Sequence, residues 1–197
     1  EKFGVRVLTG TFATDCDSES VTTSKGEKIN TGLILWTAGI SGNRIKGFPQ
    51  ENYGKGGRLL VDRFNRVKGH ENIFAIGDIS LMTEENYPSG HPQVAPVAIQ
   101  EAKTLSENLK DISGNKPLRE FSYKDLGTMA TVGKNLAVVE LPYAHFHGVF
   151  AWFVWMFIHL MSIIGVRNKF MIFINWAWRY FTYDQSLRLI LRPKGCA

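Results

Sequence analysis

Cysteine is nearly absent from this chain. Its 197 residues include two, Cys16 and Cys196, at opposite ends. They form no CxxC pair and no metal-ligand spacing, which excludes a disulfide-stapled scaffold and a cysteine-built metal centre. Lone thiols fit a reducing compartment or the cytoplasmic face of a bacterial membrane. A signal-peptide pattern is missing, and the chain starts at Glu1 rather than Met, so we expect a piece of something longer. No internal repeat or low-complexity stretch occurs, which excludes repeat architectures. The length allows one ordinary domain or two small ones.

Charge is missing over one long run. Leu141 to Val166 contains no Lys, Arg, Asp or Glu, and Phe146, Phe150, Trp152, Phe153, Trp155 and Phe157 crowd into it. The net charge is +5, and all of it follows this run. From Arg167 onward, Arg167, Lys169, Arg179, Arg188, Arg192 and Lys194 stand against one acid, Asp184. A basic tail can meet nucleic acid or an anionic membrane surface. Nucleic-acid binders interleave aromatics with the charges. Here the charges follow the apolar block, so the expected partner is a lipid bilayer surface and not nucleic acid.

Gly148 to Val166 is a charge-free stretch of 19 residues, long enough to be a transmembrane candidate. His159 lies inside it, however, and a second apolar block, FMIFINWAW, follows within a few residues. Trp176, Trp178 and Tyr180 beside Arg179 resemble an interfacial belt. Two amphipathic helices lying in the bilayer surface fit better than one span.

The rest reads as α/β. Val5 and Val7 suggest a short strand, and VTTSKGEKI a hairpin turning at Lys25-Gly26. LILW, Leu33 to Trp36, is apolar on both faces, as buried parallel strands are. It ends in Thr37-Ala38-Gly39, small residues that let a backbone or ligand approach closely. Residues 41–58 are Gly-rich and polar, a loop or linker. LLVDRFNRVKGHENIFAIGD reads as two strands around a turn near Lys68–Glu71. Its second strand, Ile73 to Ile76, ends in Gly77-Asp78. That pair is either a plain turn or a ligand contact, because ligands in open α/β sheets sit beyond the carboxyl ends of strands. Residues 80–93 form a polar loop. PVAIQEAKTLSENLK predicts a helix that opens on Pro96, ends near Gly114 and carries an apolar stripe of Ala98, Ala102, Leu105 and Leu109. Residues 121–141 predict short strands turning at Gly133-Lys134.

In order, TGLILWTAG, GRLLVD…ENIFAIGD, VAPVAIQEA and the AW…W…H…G-R-N…NWAW tail resemble one family over nearly the whole chain. It is the carboxy-terminal half of the type II NADH:quinone oxidoreductases, single-subunit flavoproteins with two dinucleotide-binding domains. The resemblance implies an α/β fold with a small α+β membrane-associating domain at the carboxy end. It assigns residues 1–40 to the end of the NADH-binding domain, 41–115 to the returning part of the FAD-binding domain, and 116–197 to a membrane- and quinone-associated domain. Both GxGxxG nucleotide loops of the family are missing here.

The resemblance also implies roles. Asp78 corresponds to the carboxylate that binds the flavin's ribityl and phosphate region, with Gly77 letting the backbone approach and Ala38-Gly39 offering a second close approach. The helix start at Ala95 and Pro96 faces the flavin ring, where free N–H groups favour negative charge on reduced flavin. The family reads Ala-Gln-x-x-x-Gln here, both Gln lining the quinone site. In this chain the first is Pro96 and the second is Gln100, with Gln93 nearby. Trp152, Trp155, Arg167, Lys169, Trp176, Trp178 and Arg179 are the expected membrane contacts. The implied activity takes electrons from NADH through FAD to a membrane quinone, without proton pumping and without a protein nucleophile or metal. The implied location is peripheral, on the cytoplasmic face of the bacterial inner membrane, and a homodimer is compatible. The alternatives are a membrane-surface binding module, or another flavin-dependent quinone reductase such as sulfide:quinone reductase. The latter needs paired redox cysteines beside the flavin, and neither Cys16 nor Cys196 flanks a flavin element.

Overall fold

A computed structural model describes residues 4–182. Asp184, Arg188, Arg192, Lys194 and Cys196 therefore lie outside the described residues. The chain divides into two compact units, Glu1–Gln93 and Val94–Ala197.

The first unit opens with an antiparallel sheet of β1 (Ala13–Cys16), β2 (Ser20–Thr23) and β3 (Lys28–Asn30), in that order. The expected hairpin is β2–β3. Gly26 N donates to Thr23 O at 2.9 Å, and Thr23 N to Glu27 O at 2.9 Å. Between β1 and β2, the Asp17 carboxylate accepts from Glu19 N at 2.8 Å and Ser20 Oγ at 2.9 Å. These bonds, the Glu19 one foremost, hold its pKa down to about 2. The strands expected at Val5–Val7 and Leu33–Trp36 do not form. Leu33, Leu35 and Trp36 are 73%, 78% and 66% exposed. The reason is that a strand needs neighbours for its N–H and C=O groups. Among the described residues no strand or bridge pairs with these segments, and apolar content alone cannot supply one.

The second part of this unit pairs β4 (Leu59–Leu60) with β5 (Ser80–Leu81) in parallel. The chain between them reverses twice. Asp62 Oδ1 accepts from Phe64 N at 2.8 Å and from Arg66 N at 2.9 Å, an Asx turn that the sequence pattern did not suggest. The second reversal is the expected one, closed by His70 N donating to Val67 O at 2.9 Å. The expected Ile73–Ile76 strand shrinks to one bridge, Arg66 with Phe74, extended by Val67 N to Ile73 O at 2.8 Å and Ala75 N to Asn65 O at 3.0 Å. Asn65 adopts φ +62 to make this reversal, which breaks the ladder after one rung. Leu59, Val61, Val67, Ala75, Leu81 and Met82 form the core.

The second unit opens on α1 (Ala95–Ser113), with Pro96 in its first turn. Gly114 N closes it by donating to Lys110 O and Asp111 O, both at 3.1 Å. Start and end match the sequence expectation; the buried face does not. Ala102 and Leu109 of the expected stripe are exposed, whereas Val97, Glu101 and Asn108 are buried. The polar face is buried because the neighbouring chain, residues 116–127, has no regular secondary structure and pairs with no strand. Helix side chains satisfy it. Asn108 Nδ2 donates to Arg119 O at 2.9 Å and Arg119 N donates to Asn108 Oδ1 at 2.9 Å. Gln100 does the same with Lys124, at 2.9 and 3.0 Å. These two amides, about 12 Å apart along the helix, act as peptide groups of an absent strand. Phe121 lies buried between the two anchored residues.

Next, β6 (Thr128–Thr131), β7 (Ala137–Leu141) and β8 (Ala144–Gly148) form an antiparallel sheet in that order. Its first turn is the expected one at Gly133-Lys134; β8 was hidden in the charge-free run. Gly127 has φ +92, and a Cβ there would meet Glu140 O at 2.2 Å, so only glycine fits. On β7, Ala137 and Val139 point inward. They meet Ala151 of α2 (Val149–Ser162), with Met129, Leu141, Phe146 and Trp152 around them. The chain turns at Ile163–Gly165 and continues as α3 (Val166–Thr182). The 19-residue run is thus split. At 14 residues, α2 is about 21 Å long, short of the ~30 Å hydrocarbon core. Among the described residues no helix is long and apolar enough to cross a membrane. Two helices replace one span, as the sequence favours.

Replacing the buried Asn108 with Ala should take the partner from the part-buried Arg119 N–H and C=O and destabilise the fold by about 1–2 kcal/mol. Removing the exposed Glu107–Arg119 ion pair by Glu107→Ala should cost well under ~1 kcal/mol. Urea unfolding midpoints of the two variants check this ordering.

Candidate functional site

In the first unit the site is a short turn, Gly77–Ile79, directly before β5. Gly77 adopts φ +69, in the left-handed region. The Gly77 carbonyl accepts from the Ser80 backbone N–H and from Ser80 Oγ, the latter at 3.0 Å. The Asp78 carbonyl accepts from Gln93 Nε2 at 2.8 Å. Both carbonyls are held by protein donors, while the Asp78 residue itself is exposed. A pinned backbone with an outward carboxylate can bind hydroxyl groups without reorganising. Ala38 and Gly39 are also exposed, in a tight turn where Gly39 N donates to Thr37 O at 2.9 Å and φ is +90.

Beneath the Asp78 turn lies a buried polar network that the sequence pattern missed. Arg58 donates from Nε to Ser80 O at 2.7 Å and from Nη2 to His91 O at 3.1 Å. His91, 2% exposed, meets Glu84 Oε1 through Nε2 at 2.7 Å, and Tyr87 packs on its ring at 4.8 Å. Arg63 pairs with the other Glu84 oxygen. This network folds the polar loop 80–93, and no spacing in that loop announces it.

In the second unit, Ala95 and Pro96 form the first turn of α1, after an extended Val94. The Val94 carbonyl accepts from Val97 N at 3.1 Å and from Ala98 N at 3.4 Å. Pro96 has no N–H, so the first-turn donor that Val94 O leaves over is Ala95 N–H. Gln100 lies one turn on, with its amide paired to Lys124.

The helical hairpin of α2 and α3 sorts its aromatics. Trp155 stacks on His159 at 4.2 Å and faces Trp176 at 6.1 Å; Trp152 meets Tyr180 at 5.6 Å. Lys134 Nζ sits 4.0 Å above the Tyr180 ring and donates to Tyr180 O at 2.7 Å. Lys134, Trp152, Trp155, Trp176 and Tyr180, with Met156 and Arg179, line an apolar groove of about 290 Å³. Trp176 and Tyr180, four residues apart, share this inner face. Trp178 falls on the other side, 64% exposed, so the expected belt is split between two faces. Arg167 and Lys169 lie in the first turn of α3. Phe150, Phe157, Phe170 and Phe181 are also exposed.

Residues 1–102 match the family described as pyridine nucleotide-disulphide oxidoreductase, and residues 126–182 match the NDH2 C-terminal domain. The chain belongs to the type II NADH:quinone oxidoreductase branch of the pyridine nucleotide-disulphide oxidoreductase family. It is 30% identical over 191 residues to type II NADH:quinone oxidoreductase Ndh of Mycobacterium tuberculosis, covering 89% of this chain and 39% of that protein. It is 31% identical over 196 residues to the mitochondrial internal alternative NAD(P)H-ubiquinone oxidoreductase A1 of Arabidopsis thaliana, covering 89% and 38%. The chain therefore spans under half the length of these relatives. The fold matches NDH2 from Plasmodium falciparum, solved in complex with NADH, with a TM-score of 0.79 at 19% identity over 95% of this chain and 54% of that one. It also matches sulfide:quinone oxidoreductase from Aquifex aeolicus, with a TM-score of 0.60 at 15% identity over 94% and 48%.

Within this branch the left-handed Gly77 gives a direct test. Gly77→Ala should destabilise the fold by about 1–2 kcal/mol, the cost of an L residue in that region. Gly32 has ordinary φ and open space around its Cβ position, so Gly32→Ala should change stability little. Thermal unfolding of both variants checks the contrast.

Proposed function

We propose that the full-length protein passes electrons from NADH through FAD to a membrane quinone, without pumping protons. The observation that carries this is the succession of two family matches on one chain, a nucleotide-oxidoreductase domain followed by an NDH2 C-terminal domain. Residues 1–40 end the NADH-binding domain, 41–115 are the returning part of the FAD-binding domain, and 116–197 form the membrane- and quinone-associated domain. When bound, FAD supplies the redox chemistry, accepting hydride from NADH and passing electrons to the quinone.

The residues fit that cofactor. Asp78 accepts hydrogen bonds from ribityl hydroxyls, and Gly77 leaves room for the approach. Ala38 and Gly39 take a similar role beside the bound nucleotides. Ala95 and Pro96 face the ring, where the Ala95 N–H and the helix dipole favour negative charge. At the quinone, Pro96 offers shape but no donor. Gln100 has two N–H groups and the Lys124 carbonyl takes one, so the quinone contact falls to the other.

The α2–α3 hairpin docks on the bilayer surface, peripherally, at the cytoplasmic face of a bacterial inner membrane. Residues 141–182 contain Arg167, Lys169 and Arg179 but no Asp or Glu, which suits anionic lipid. A sulfide-oxidising reading lacks its redox pair: Cys16 sits on the exposed strand β1. A bare membrane module leaves the Asp78 turn without a role.

In the full-length protein, Asp78→Ala should weaken FAD binding about tenfold or more through loss of a charge-assisted hydrogen bond. Flavin absorbance after gel filtration measures it, alongside NADH oxidation with a soluble quinone. Full FAD occupancy in the variant would sink the assignment. Residues 1–197 alone should show no NADH turnover above a no-protein control, because they contain neither GxGxxG nucleotide loop.

The full-length protein should also sediment with vesicles containing anionic phosphatidylglycerol more than with neutral ones. Salt should weaken the difference. Equal recovery in the supernatant with both vesicle types would refute the docking role of the hairpin.

A further inference from the structure

We infer that Gln93 is a positioning residue for the flavin contact at Asp78, an inference that rests on the reading of Asp78 as that contact. The turn Gly77–Ile79 has two carbonyl groups whose direction sets where the Asp78 carboxylate points. Ser80 fixes the first, with its backbone N–H and Oγ on Gly77 O. Gln93 fixes the second, with Nε2 on Asp78 O at 2.8 Å. The Ser80 contact is local, made by a residue three positions on. The Gln93 contact spans 15 residues and closes the loop 80–93 back on the ligand turn.

The Gln93 side chain reaches that carbonyl because its backbone is delivered there. His91, two residues earlier, is buried, with its carbonyl on Arg58 Nη2 at 3.1 Å and its ring on Glu84 at 2.7 Å. Glu84 is held in turn by Arg63. The loop is therefore ordered before Gln93 makes its bond, so little conformational freedom is left to lose. The bland alternative is that Gln93 merely closes the loop. The two roles differ in one respect: a positioning residue matters to the cofactor only while Asp78 has its carboxylate.

The test is a cycle of four full-length proteins: the parent, Gln93→Met, Asp78→Ala and the double variant. Methionine matches glutamine in length and has no N–H. FAD dissociation constants are measured by flavin fluorescence, and thermal midpoints are taken on the stripped proteins. Gln93→Met should weaken FAD about five- to tenfold when Asp78 is present, the loss of one hydrogen bond. It should weaken FAD less than about twofold when Asp78 is Ala. Midpoints of the stripped proteins should not track these changes. No loss, or equal loss in both backgrounds, overturns the inference. Parental FAD affinity in Asp78→Ala sinks the reading of Asp78 and the inference with it. A weakened Asp78→Ala beside an unaffected Gln93→Met sinks the inference alone. Gln93→Ala gives the same comparison should Met disturb folding, with the same expected outcome.

Discussion

The amide pairs Asn108–Arg119 and Gln100–Lys124 set the character of the second unit. The segment that runs against helix α1 pairs with no strand, so its backbone groups at Arg119 and Lys124 take side-chain partners where ladder partners would otherwise stand. At the part-buried Asn108–Arg119 pair an unpaired group would cost about 1 kcal/mol or more; at the exposed Gln100–Lys124 pair water takes the place of a lost partner. Helix α1 supplies side-chain amides at matching intervals instead, and this decides which face it buries. The same device recurs in the first unit. The Asp62 carboxylate takes two N–H groups, and Arg58 donates to two carbonyls 22 and 33 residues away. With little regular sheet in the first unit and an unpaired segment in the second, polar side chains close backbone hydrogen bonds that strands would otherwise close.

That explains which features were legible in the sequence. Turns and helix ends are local. Lys25-Gly26, Gly133-Lys134, Pro96 and Gly114 each act through their own φ or their own missing or free N–H, and all four stand where expected. The buried face of α1 is not local. Ala98, Ala102, Leu105 and Leu109 have helical spacing, but spacing names a stripe without naming what covers it. Here the covered face is the one carrying Glu101 and Asn108. Leu33 to Trp36 has the composition of a buried strand and lacks the neighbours. Asp78 stands out in the sequence because a carboxylate after an apolar run is conspicuous, and the structure leaves it exposed on a pinned turn. Gln93, Arg58, Glu84 and His91 do not stand out, because polar residues in a loop carry no periodic signal and their partners lie 7 to 33 residues away.

The hairpin of α2 and α3 is governed by a different constraint. Its Trp residues mostly face one another or the Tyr180–Lys134 pair, while several Phe side chains face out. Apolar surface left in water is disfavoured by roughly 25 cal/mol per Å², and the outward Phe side chains are large. Three cations without an acid add mutual repulsion. The proposed docking on an anionic bilayer surface would remove both penalties, with the rings in the acyl boundary and the phosphates neutralising the charge. On the proposed membrane role, an α2 of this length lies along the surface and buries one side.

Pro96 then decides how the start of α1 can act. Where the resembling enzymes carry a glutamine, proline fixes φ and removes both a side-chain amide and a backbone N–H. The remaining donors over the first two turns are the Ala95 N–H and one N–H of Gln100. The Gln100 amide is not free to rotate, since Lys124 holds its oxygen and its nitrogen together. A clamped donor loses less freedom on binding than a mobile one, which suits the proposed contact of Gln100 with a quinone carbonyl. On the proposed reading, with fewer donors, shape and apolar contact along the proline face would hold the quinone ring. Selection among quinones at this site would then follow their ring substituents more than their hydrogen-bonding pattern.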